Sequence, residues 1–474
     1  MIRARVSAFC VFALLVLRAV MAAQLPLSAD EAYYWLWSLH PAAGYFDHPP
    51  MIAWLIRAGT MLFGDTPFGV RFAGVLLSLP ASWFVWRAAA LILKDQDRAG
   101  LAVLFFNLTL MASVALLAAT PDMPSIVTSA AFVYFLARVQ QTGDGRAWLG
   151  AGIAAGLGLL SKYSTLFLGA GTLAWLILDR DARKWLLSPW PYLSAVLALA
   201  IFLPNLVWQS QHHWQTVLFQ FGRIGAGQFT LRFVGEFAAA QFGLASPLVL
   251  LLMAAGLWRA TRLGNDRLML AILIWMGLGF FFQHALHDRV QGNWPCFLYP
   301  ALAILAADAF AGSGLVWRKL SIFAAPLAAV LLLTVYLLAA WTPDIKGLKN
   351  PLARILGREF APIGEVVAAL VKAHLADAVL TTDYQTTAWL RFNYPGMTVV
   401  QLNEPQRYPD APPADASLLA RPLIYLAELR RDQHVLVQKF FGYTGFPTQL
   451  QTPSSLYMIY PVGRPKSSPL GRMP

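Results

Sequence analysis

The sequence predicts a polytopic α-helical membrane protein with a small C-terminal α/β domain outside the bilayer. Of the 474 residues, 58% are hydrophobic and 13% are charged, and the mean hydropathy is +0.55. Ordinary soluble domains carry about 25% charged residues. Apolar runs near the roughly 20 residues that span a bilayer recur as far as Trp341. From Thr342 the apolar runs shorten and Pro, Asp, Gln and Arg become frequent. We therefore predict a membrane domain at 1–341, including a first external loop at 24–67, and an external domain at 342–474.

Hydropathy predicts about eleven membrane spans. They cover residues 6–23, 68–93, 100–119, 124–138, 147–160, 164–178, 190–208, 236–258, 268–284, 295–311 and 320–341. The spans 124–138, 147–160 and 164–178 are short, which indicates tilted or broken helices that line a protein-covered cavity. Gly150–Leu160 is rich in small residues, and we interpret its glycines as helix-packing positions. The N-terminus resembles a signal peptide, but the many later spans favour an uncleaved first helix.

The net charge of +12 reflects membrane topology rather than nucleic-acid binding. Lys and Arg concentrate in alternate gaps between spans, as the positive-inside rule predicts for cytoplasmic loops. These residues are Arg3, Arg5, Lys94, Arg98, Arg138, Arg146, Arg180, Arg183, Lys184, Arg259, Arg262, Arg267, Arg318 and Lys319. The other gaps are then external, namely the first loop, 120–124, 161–164, 208–235, 284–295 and everything after Trp341. This assignment places every unusual polar cluster on one side of the membrane.

The C-terminal region predicts a compact α/β domain with a partial doubly wound sheet. An amphipathic helix is predicted at Gly364–Ala376. Short strands are predicted at Ala378–Thr382, Met397–Leu402, Leu423–Leu426 and Val435–Gln438. The Pro-rich Pro405–Pro413 is predicted to be a loop, and Lys466–Pro474 a disordered tail.

The first external loop contains an acidic pair, Asp30–Glu31, among Tyr and Trp residues. Acidic groups beside a bilayer are costly unless they are solvated or functional. Adjacent residues of a helix point about 100° apart, so one carboxylate would face a cavity while the other orients or caps. For Glu31 the alternative is a capping box with Ser28, three residues earlier. The alternative for the whole stretch is a solvated loop with interfacial aromatic residues.

Two further acidic positions adjoin prolines. Asp47–His48 precedes Pro49–Pro50, which restrict the backbone before them, and the pair could bind a metal, hold a phosphate or cap a helix. Asp122 lies in TPDMP between two spans. It is either a helix N-cap or a second acid that faces the same cavity as Asp30.

Basic groups lie at the other external gaps. Lys162 could snorkel to the interface or bind an anionic headgroup. His284, His287, Asp288 and Arg289 precede GNWP, and the spacing of the two histidines permits a shared metal but supplies no third ligand. Cys10 and Cys296 both lie in apolar runs, so we expect no disulfide.

The order of these motifs resembles one known family. DEAYYWLWS (30–38), YFDHPP (45–50), MIAWLIR (51–57) and LFGDTPFGVRF (62–72) are similar to the first external loop of the dolichyl-phosphate-mannose protein mannosyltransferase superfamily. The resemblance is greatest to the bacterial branch with the lipid A aminoarabinose transferase and the lipopolysaccharide galacturonosyltransferases. TPDMP (120–124), GLGLLSKYS (156–164) and NWP (293–295) follow in the family's order, and TTDYQTTAWLRFNYPG (381–396) resembles its C-terminal external domain. The resemblance implies the GT-C fold.

The resemblance also implies roles for single residues. Asp30 matches the acid taken as catalytic, Glu31 its companion, and Asp122 the acid of the second loop. Lys162 matches a basic residue near the donor phosphate, and His48 and Arg289 are candidates for further contacts with that phosphate. Asp47 is a possible metal ligand. His48 stands where the aminoarabinose transferases have Lys, which puts that sugar in doubt. Tyr33 and Tyr34 could line the sugar or lipid groove, whereas Trp37 is more typical of an interfacial belt.

The implied activity is transfer of a sugar from a polyprenyl phosphate to an extracytoplasmic acceptor such as lipid A, lipopolysaccharide, another glycan or a protein. A carboxylate would deprotonate the acceptor and cations would stabilise the leaving phosphate. Direct displacement would invert the anomeric carbon. The expected location is the bacterial inner membrane, with the site and C-terminal domain in the periplasm. The sequence makes no cofactor certain, and a divalent metal is possible.

Three other classes compete with this interpretation. A transporter or flippase would show internal repeats and charges near the bilayer midplane, whereas these charges lie at one rim. A polysaccharide ligase with a diphosphate-linked donor would depend more on Arg and His than on an Asp–Glu pair. A structural membrane scaffold would give the acidic cluster no purpose.

Overall fold

A computed structural model describes residues 2–222, 227–264, 266–312, 322–341, 351–408, 415–452 and 455–466. The chain divides into two compact units. The membrane unit comprises Met1–Ala23, Asp47–Leu55 and Arg71–Tyr336, and the loop–sheet unit comprises Gln24–Phe46, Ile56–Val70 and Leu337–Pro474. Part of the first external loop thus groups with the C-terminal region. Our domain boundary at residue 341 stays a prediction.

The described part of the chain before Trp341 is mostly helical and forms a multi-pass integral membrane protein. Its helices are α1 (Ile2–Gln24), α2 (Ala29–Leu39), α3 (Met51–Phe63), α4 (Pro67–Leu93), α5 (Gln96–Leu108), α6 (Leu110–Ala115), α7 (Asp122–Thr142), α8 (Ala147–Ser161), α9 (Thr165–Leu178), α10 (Trp190–Gln211), α11 (Gln215–Phe221), α12 (Arg232–Ala245), α13 (Pro247–Leu263), α14 (Leu268–Ala285), α15 (Tyr299–Gly312) and α16 (Ala324–Ala340). Within the described residues, α1, α4, α10 and α14 are each long and apolar enough to cross a bilayer alone.

Every predicted span overlaps a helix, but three spans differ in form. The span 100–119 breaks at Thr109, whose hydroxyl donates to the carbonyl of Phe106 and accepts the N–H of Ala112 at the start of α6. The span 236–258 is the pair α12 and α13, bent by 108° at Ser246. The span 124–138 is not short, because α7 has 21 residues and begins inside the loop that we assigned to TPDMP.

The glycines of α8 are packing positions, as the sequence suggested. A Cβ on Gly152 would lie 2.5 Å from the carbonyl oxygen of Ser194, and one on Gly156 would lie 2.7 Å from Ile201, so both glycines let α8 approach α10 closely. Backbone atoms cannot move aside as a flexible side chain can, and overpacking of this kind costs about 1–3 kcal/mol.

We predict that Gly152→Ala lowers the thermal stability of the detergent-solubilised protein. Gly169→Ala on α9 is the matched control, since a Cβ there meets nothing within 4 Å and Ala gains about 0.5–1 kcal/mol over Gly in a helix. Differential scanning fluorimetry checks both variants. Equal melting temperatures would contradict the packing role of Gly152.

The positively charged gaps meet one another on one side of the membrane unit. The Asp308 carboxylate near the end of α15 pairs with Arg267 at 2.9 Å and with Arg98 at 3.6 Å, and Lys94 pairs with Asp266 at 3.2 Å. These contacts agree with the common side that we assigned to the 94–98 and 259–267 gaps. Arg318 and Lys319 lie outside the described residues.

The C-terminal part of the loop–sheet unit is a mixed sheet with helices. Its helices are α17 (Pro351–Ile355), α18 (Ala361–Lys372), α19 (Tyr384–Asn393), α20 (Ala416–Leu419) and α21 (His434–Phe440); its strands are β1 (Ala378–Thr381), β2 (Val399–Gln401), β3 (Leu423–Glu428), β4 (Phe441–Thr444), β5 (Thr448–Gln451) and β6 (Leu456–Pro465). The strand order is β2-β1-β3-β6-β4, and β5 pairs with β6. Strands β2, β1 and β3 are parallel, and β6 runs antiparallel to β3.

Three predicted strands and the amphipathic helix are confirmed, but the prediction of a strand at Val435–Gln438 was wrong. That segment lies in α21, where the carboxylate of Asp432 accepts the N–H of the first helical residue, His434, at 2.9 Å. Only Val437 of the helix is fully buried, and the sheet position beside β3 is filled by β6. Of the predicted loop 405–413, residues 405–407 form a short 3-10 helix; residues 409–414 and the tail 467–474 lie outside the described residues.

Candidate active site

Asp122 is the centre of a buried polar cluster in the membrane unit. Its Oδ1 accepts from Lys162 Nζ at 2.6 Å and from Cys296 Sγ at 3.2 Å, and its Oδ2 accepts from Asn293 Nδ2. The side chains of Asp122 and Lys162 are 8% and 13% exposed. Three of the gaps that we predicted to be external, 120–124, 161–164 and 284–295, therefore meet at one carboxylate.

Local backbone structure explains how these side chains converge. Asp122 is the first residue of α7, where the positive end of the helix dipole favours a carboxylate. Lys162 follows the last residue of α8 in an extended conformation, and its backbone N–H closes that helix onto the carbonyl of Gly158 at 2.8 Å. Asn293 and Cys296 flank the start of the short 3-10 helix Trp294–Leu298 that precedes α15. The N-cap alternative for Asp122 was wrong, since Pro121 occupies the N-cap position and no side chain caps the start of this helix.

The cluster leaves donor capacity on Lys162. An ammonium group has three N–H donors, and among the described residues Asp122 is the one acceptor within hydrogen-bond distance of Nζ. Two donors of a partly exposed cation therefore remain for an anionic group. Because the paired carboxylate is buried with it, the ammonium stays charged and fixed in position.

The second half of the first loop also belongs to the membrane unit. Asp47 is buried, and its backbone carbonyl accepts from Gln220 Nε2 at 2.6 Å, which joins the first loop to α11 in the long 208–235 gap. His48 is half-buried and precedes the two prolines at the start of α3. The described residues contain no group of three or more His, Cys, Asp or Glu side chains that could hold a metal ion. The suggestion of a metal at Asp47 thus has no supporting ligand set in the described part of the chain.

In the loop–sheet unit, Asp30 and Glu31 have different environments, as their 100° separation on α2 predicts. Glu31 is 1% exposed and forms the predicted capping box: its Oε2 accepts the backbone N–H of Ser28 at 2.9 Å, and Ser28 Oγ accepts the N–H of Glu31 at 3.3 Å. Asp30 is exposed, and its Oδ1 accepts from Tyr384 Oη at 3.2 Å and from Gln385 Nε2 at 3.3 Å. Asp30 is therefore the accessible acid of the pair.

The aromatic residues of α2 are packed more tightly than an interfacial belt. Tyr33 is 2% exposed, and its ring centroid lies 4.6 Å from Tyr384 and 5.7 Å from Tyr408. Tyr34 is half-buried beside Tyr33 at 5.6 Å. The interpretation of Trp37 as a belt residue was wrong, since it is 2% exposed and stacks on Tyr45 at 4.4 Å.

Arg289 is not brought to the Asp122 cluster. Its side chain is 66% exposed, and its guanidinium pairs with Glu236 at 3.3 Å. The two neighbouring histidines differ from each other as well: His284 is buried against Phe280, and His287 lies beside the carbonyl of Gln283. Among the described residues they form no metal cluster.

Sequence reasoning missed the partners of the two central carboxylates. For Asp122 the missed partners are Asn293 and Cys296; for Asp30 they are Tyr384 and Gln385. The available signals were the NWP motif and the TTDYQ segment, which we read as marks of family resemblance and not as contacts. Cys296 gave no signal because it lies in an apolar run.

The mostly helical polytopic membrane architecture with a C-terminal mixed sheet agrees with the GT-C fold that the resemblance implies. Residues 47–208 match the family described as dolichyl-phosphate-mannose-protein mannosyltransferase. The fold is that of ArnT from Cupriavidus metallidurans in the apo state, with a TM-score of 0.67 and 17% identity over 95% of this chain and 97% of that one. The family match thus covers about a third of the chain, and the likeness in fold extends over nearly all of it.

Two curated bacterial relatives are similar to more than half of the chain. It is 29% identical over 286 residues to the lipid A galacturonosyltransferase RgtD of Rhizobium johnstonii, which covers 58% of this chain and 59% of the relative. It is 30% identical over 282 residues to undecaprenyl phosphate-alpha-4-amino-4-deoxy-L-arabinose arabinosyl transferase 1 of Sodalis glossinidius, which covers 55% of this chain and 48% of the relative. The matches thus span less than two thirds of either relative.

Proposed function

We propose that this protein transfers a sugar from a polyprenyl-phosphate donor to an acceptor in lipid A or lipopolysaccharide. The match of residues 47–208 to the mannosyltransferase family supports glycosyl transfer, and the named activities of the two relatives support the donor and acceptor classes. The positive charge of one set of loops supports an orientation in which the loops of the other set face the periplasm.

The observation that carries the proposal is the exposed Asp30 carboxylate, held by two donors at the start of a buried aromatic helix. A carboxylate in this state is accessible and oriented, as a general base for an acceptor hydroxyl must be. Glu31 is the less suitable base, because the capping box occupies its carboxylate. Its catalytic role stays a prediction.

The leaving group is a phosphate, whose developing charge needs cations and not a proton donor. Lys162 supports this part of the reaction, since Asp122 fixes the ammonium and leaves two of its donors available. His48 is the second candidate contact and stays a prediction, as does Arg289 at its more exposed position. In a direct displacement the acceptor oxygen bonds to the anomeric carbon as the bond to the phosphate oxygen breaks. The configuration therefore inverts, and the proton of the acceptor passes to Asp30.

The identity of the transferred sugar is a more specific part of the proposal. We infer a uronosyl donor in preference to aminoarabinosyl, because His48 replaces the Lys that the aminoarabinose transferases carry and the relative that matches 58% of this chain is named a lipid A galacturonosyltransferase.

The test uses purified full-length protein with lipid A and either undecaprenyl-phosphate galacturonate or undecaprenyl-phosphate aminoarabinose. We expect mass spectrometry to detect lipid A with one added hexuronate, and at least tenfold slower transfer of aminoarabinose. Faster transfer of aminoarabinose would overturn the choice of sugar but not the reaction. If neither donor is consumed and the protein instead moves a labelled polyprenyl-phosphate lipid across proteoliposome membranes, the transferase proposal is wrong.

A further inference from the structure

The C-terminal sheet has a topological switch point at β1. The strand order β2-β1-β3 means that the chain leaves β1 toward β2 on one side and later returns to β3 on the other. Both neighbours are parallel to β1, so the carboxyl ends of all three strands share one edge. In open α/β sheets this crevice is the usual place for a small ligand.

The residues after β1 and β3 converge at this edge. Asp383, Tyr384 and Gln385 follow β1, with Asp383 as the N-cap of α19 through the N–H of Thr386 at 3.0 Å. Arg431 follows β3, and its Nη1 donates to Gln385 Oε1 at 2.8 Å and to Asp383 Oδ1 at 3.2 Å. The edge is supported from β3 by Tyr425, whose hydroxyl bonds Thr382 at 2.8 Å. Burial raises the pKa of Tyr425 to about 12, which keeps that hydroxyl protonated.

The group bound at this edge is a residue of the first loop. Helix α2 lies against α19 within the loop–sheet unit, through Tyr33 on Tyr384 and Trp35 on Phe392 at 5.1 Å. This packing places Asp30 Oδ1 where Tyr384 Oη and Gln385 Nε2 both donate to it.

Arg431 determines which end of the Gln385 amide meets Asp30. The two ends differ in chemistry, because the oxygen only accepts and the nitrogen only donates. Since Arg431 has no acceptor atom, it holds the amide oxygen, and the amide nitrogen is left directed at the carboxylate. A reversed amide would present oxygen to oxygen at Asp30.

From these contacts we propose that Tyr384 and Gln385 are positioning residues for Asp30, and that Arg431 orients Gln385. The C-terminal domain then takes part in the reaction by using its switch point to hold a carboxylate from the membrane-proximal loop. This inference rests on the proposed function, since it assumes that Asp30 is the base.

The test compares Tyr384→Phe, Gln385→Leu and their double variant in the transferase assay. Each single variant should lower kcat by roughly tenfold and the double by about a hundredfold, as expected for hydrogen bonds to a charged group, with the donor KM changed by less than about threefold. Loss of a donor favours the protonated, inactive carboxylate. The acid limb of the kcat–pH profile should therefore move to higher pH by about one unit, a shift that a merely structural role would not produce.

Two further variants sharpen the result. Gln385→Glu keeps the contact with Arg431 but replaces the donor with a like charge, so it should shift the acid limb at least as far as Gln385→Leu. Asn393→Ala on the same helix is the control, because Asn393 bonds the carbonyl of Trp389 in its own helix, and its pH profile should equal that of the wild type. Normal kcat and an unmoved acid limb in folded Gln385→Leu and Tyr384→Phe would overturn the inference. Wild-type protein that transfers no sugar would instead overturn the proposed function.

Discussion

Asp30→Asn is expected to lower kcat by about 10²–10⁴-fold, the typical contribution of a general base. Asparagine keeps the size of the side chain and an oxygen that accepts from Tyr384 and Gln385, but it cannot take a proton from the acceptor. The donor KM should change little, because Asp30 acts on the acceptor and the cations act on the phosphate. Steady-state kinetics with varied donor at saturating acceptor separates these effects.

Asp65→Asn is the matched control for this variant. Asp65 is another exposed carboxylate of the first loop, and its Oδ1 accepts from Trp35 Nε1 at 2.7 Å, a bond that asparagine can still accept. Its kcat should stay within about twofold of the wild type, since it is not the base. Full activity in Asp30→Asn would place the base elsewhere, and Asp122 would be the next candidate.

Hydropathy predicted the membrane part well because every span must be an apolar run long enough to cross the bilayer. Each predicted span overlaps at least one helix, and the alternating charges gave a sidedness that agrees with the contacts of Asp122 and Asp308. The breaks at Thr109 and Ser246 escaped prediction. Both lie within apolar runs, and neither a threonine hydroxyl nor a single bend changes mean hydropathy.

Local pattern failed where tertiary structure decided the outcome. Val435–Gln438 is a short apolar run with two valines, which predicts a strand equally well as a buried helix segment. The deciding facts were the hydrogen bond from the N–H of His434 to Asp432 and the presence of β6 beside β3. The second of these depends on residues some twenty positions further along. Strand propensity gives way to such context.

The candidate site was only half predictable for a similar reason. Asp30, Asp122 and Lys162 stand out because charged residues at a membrane rim are costly and few. Their partners do not stand out: Asn293 and Cys296 lie 171 and 174 residues from Asp122, and an amide or a thiol is common in any sequence. Pairing over such separations leaves no periodic or local mark.

Asp122 and Lys162 should show a large coupling free energy in a double-mutant cycle. Removing one partner of a buried ion pair leaves an uncompensated charge and costs about 3–5 kcal/mol, whereas removing both costs much less than the two single losses together. We expect Asp122→Asn to destabilise more than Lys162→Met. After Lys162→Met the carboxylate keeps its bonds from Asn293 and Cys296, but after Asp122→Asn the ammonium faces a neutral amide.

Denaturation in mixed micelles gives the four free energies of unfolding, with the cycle Lys94→Met and Asp266→Asn as the reference. That pair has a similar separation, 3.2 Å, but its side chains are 69% and 44% exposed, so its coupling should stay below about 1 kcal/mol.

Asp122→Asn should also raise the donor KM, because an ammonium without its carboxylate no longer holds one position for a phosphate. A coupling for Asp122 and Lys162 no larger than the reference would mean that water reaches the pair and screens it. The fixed cation that we assign to the donor phosphate would then lack its structural basis.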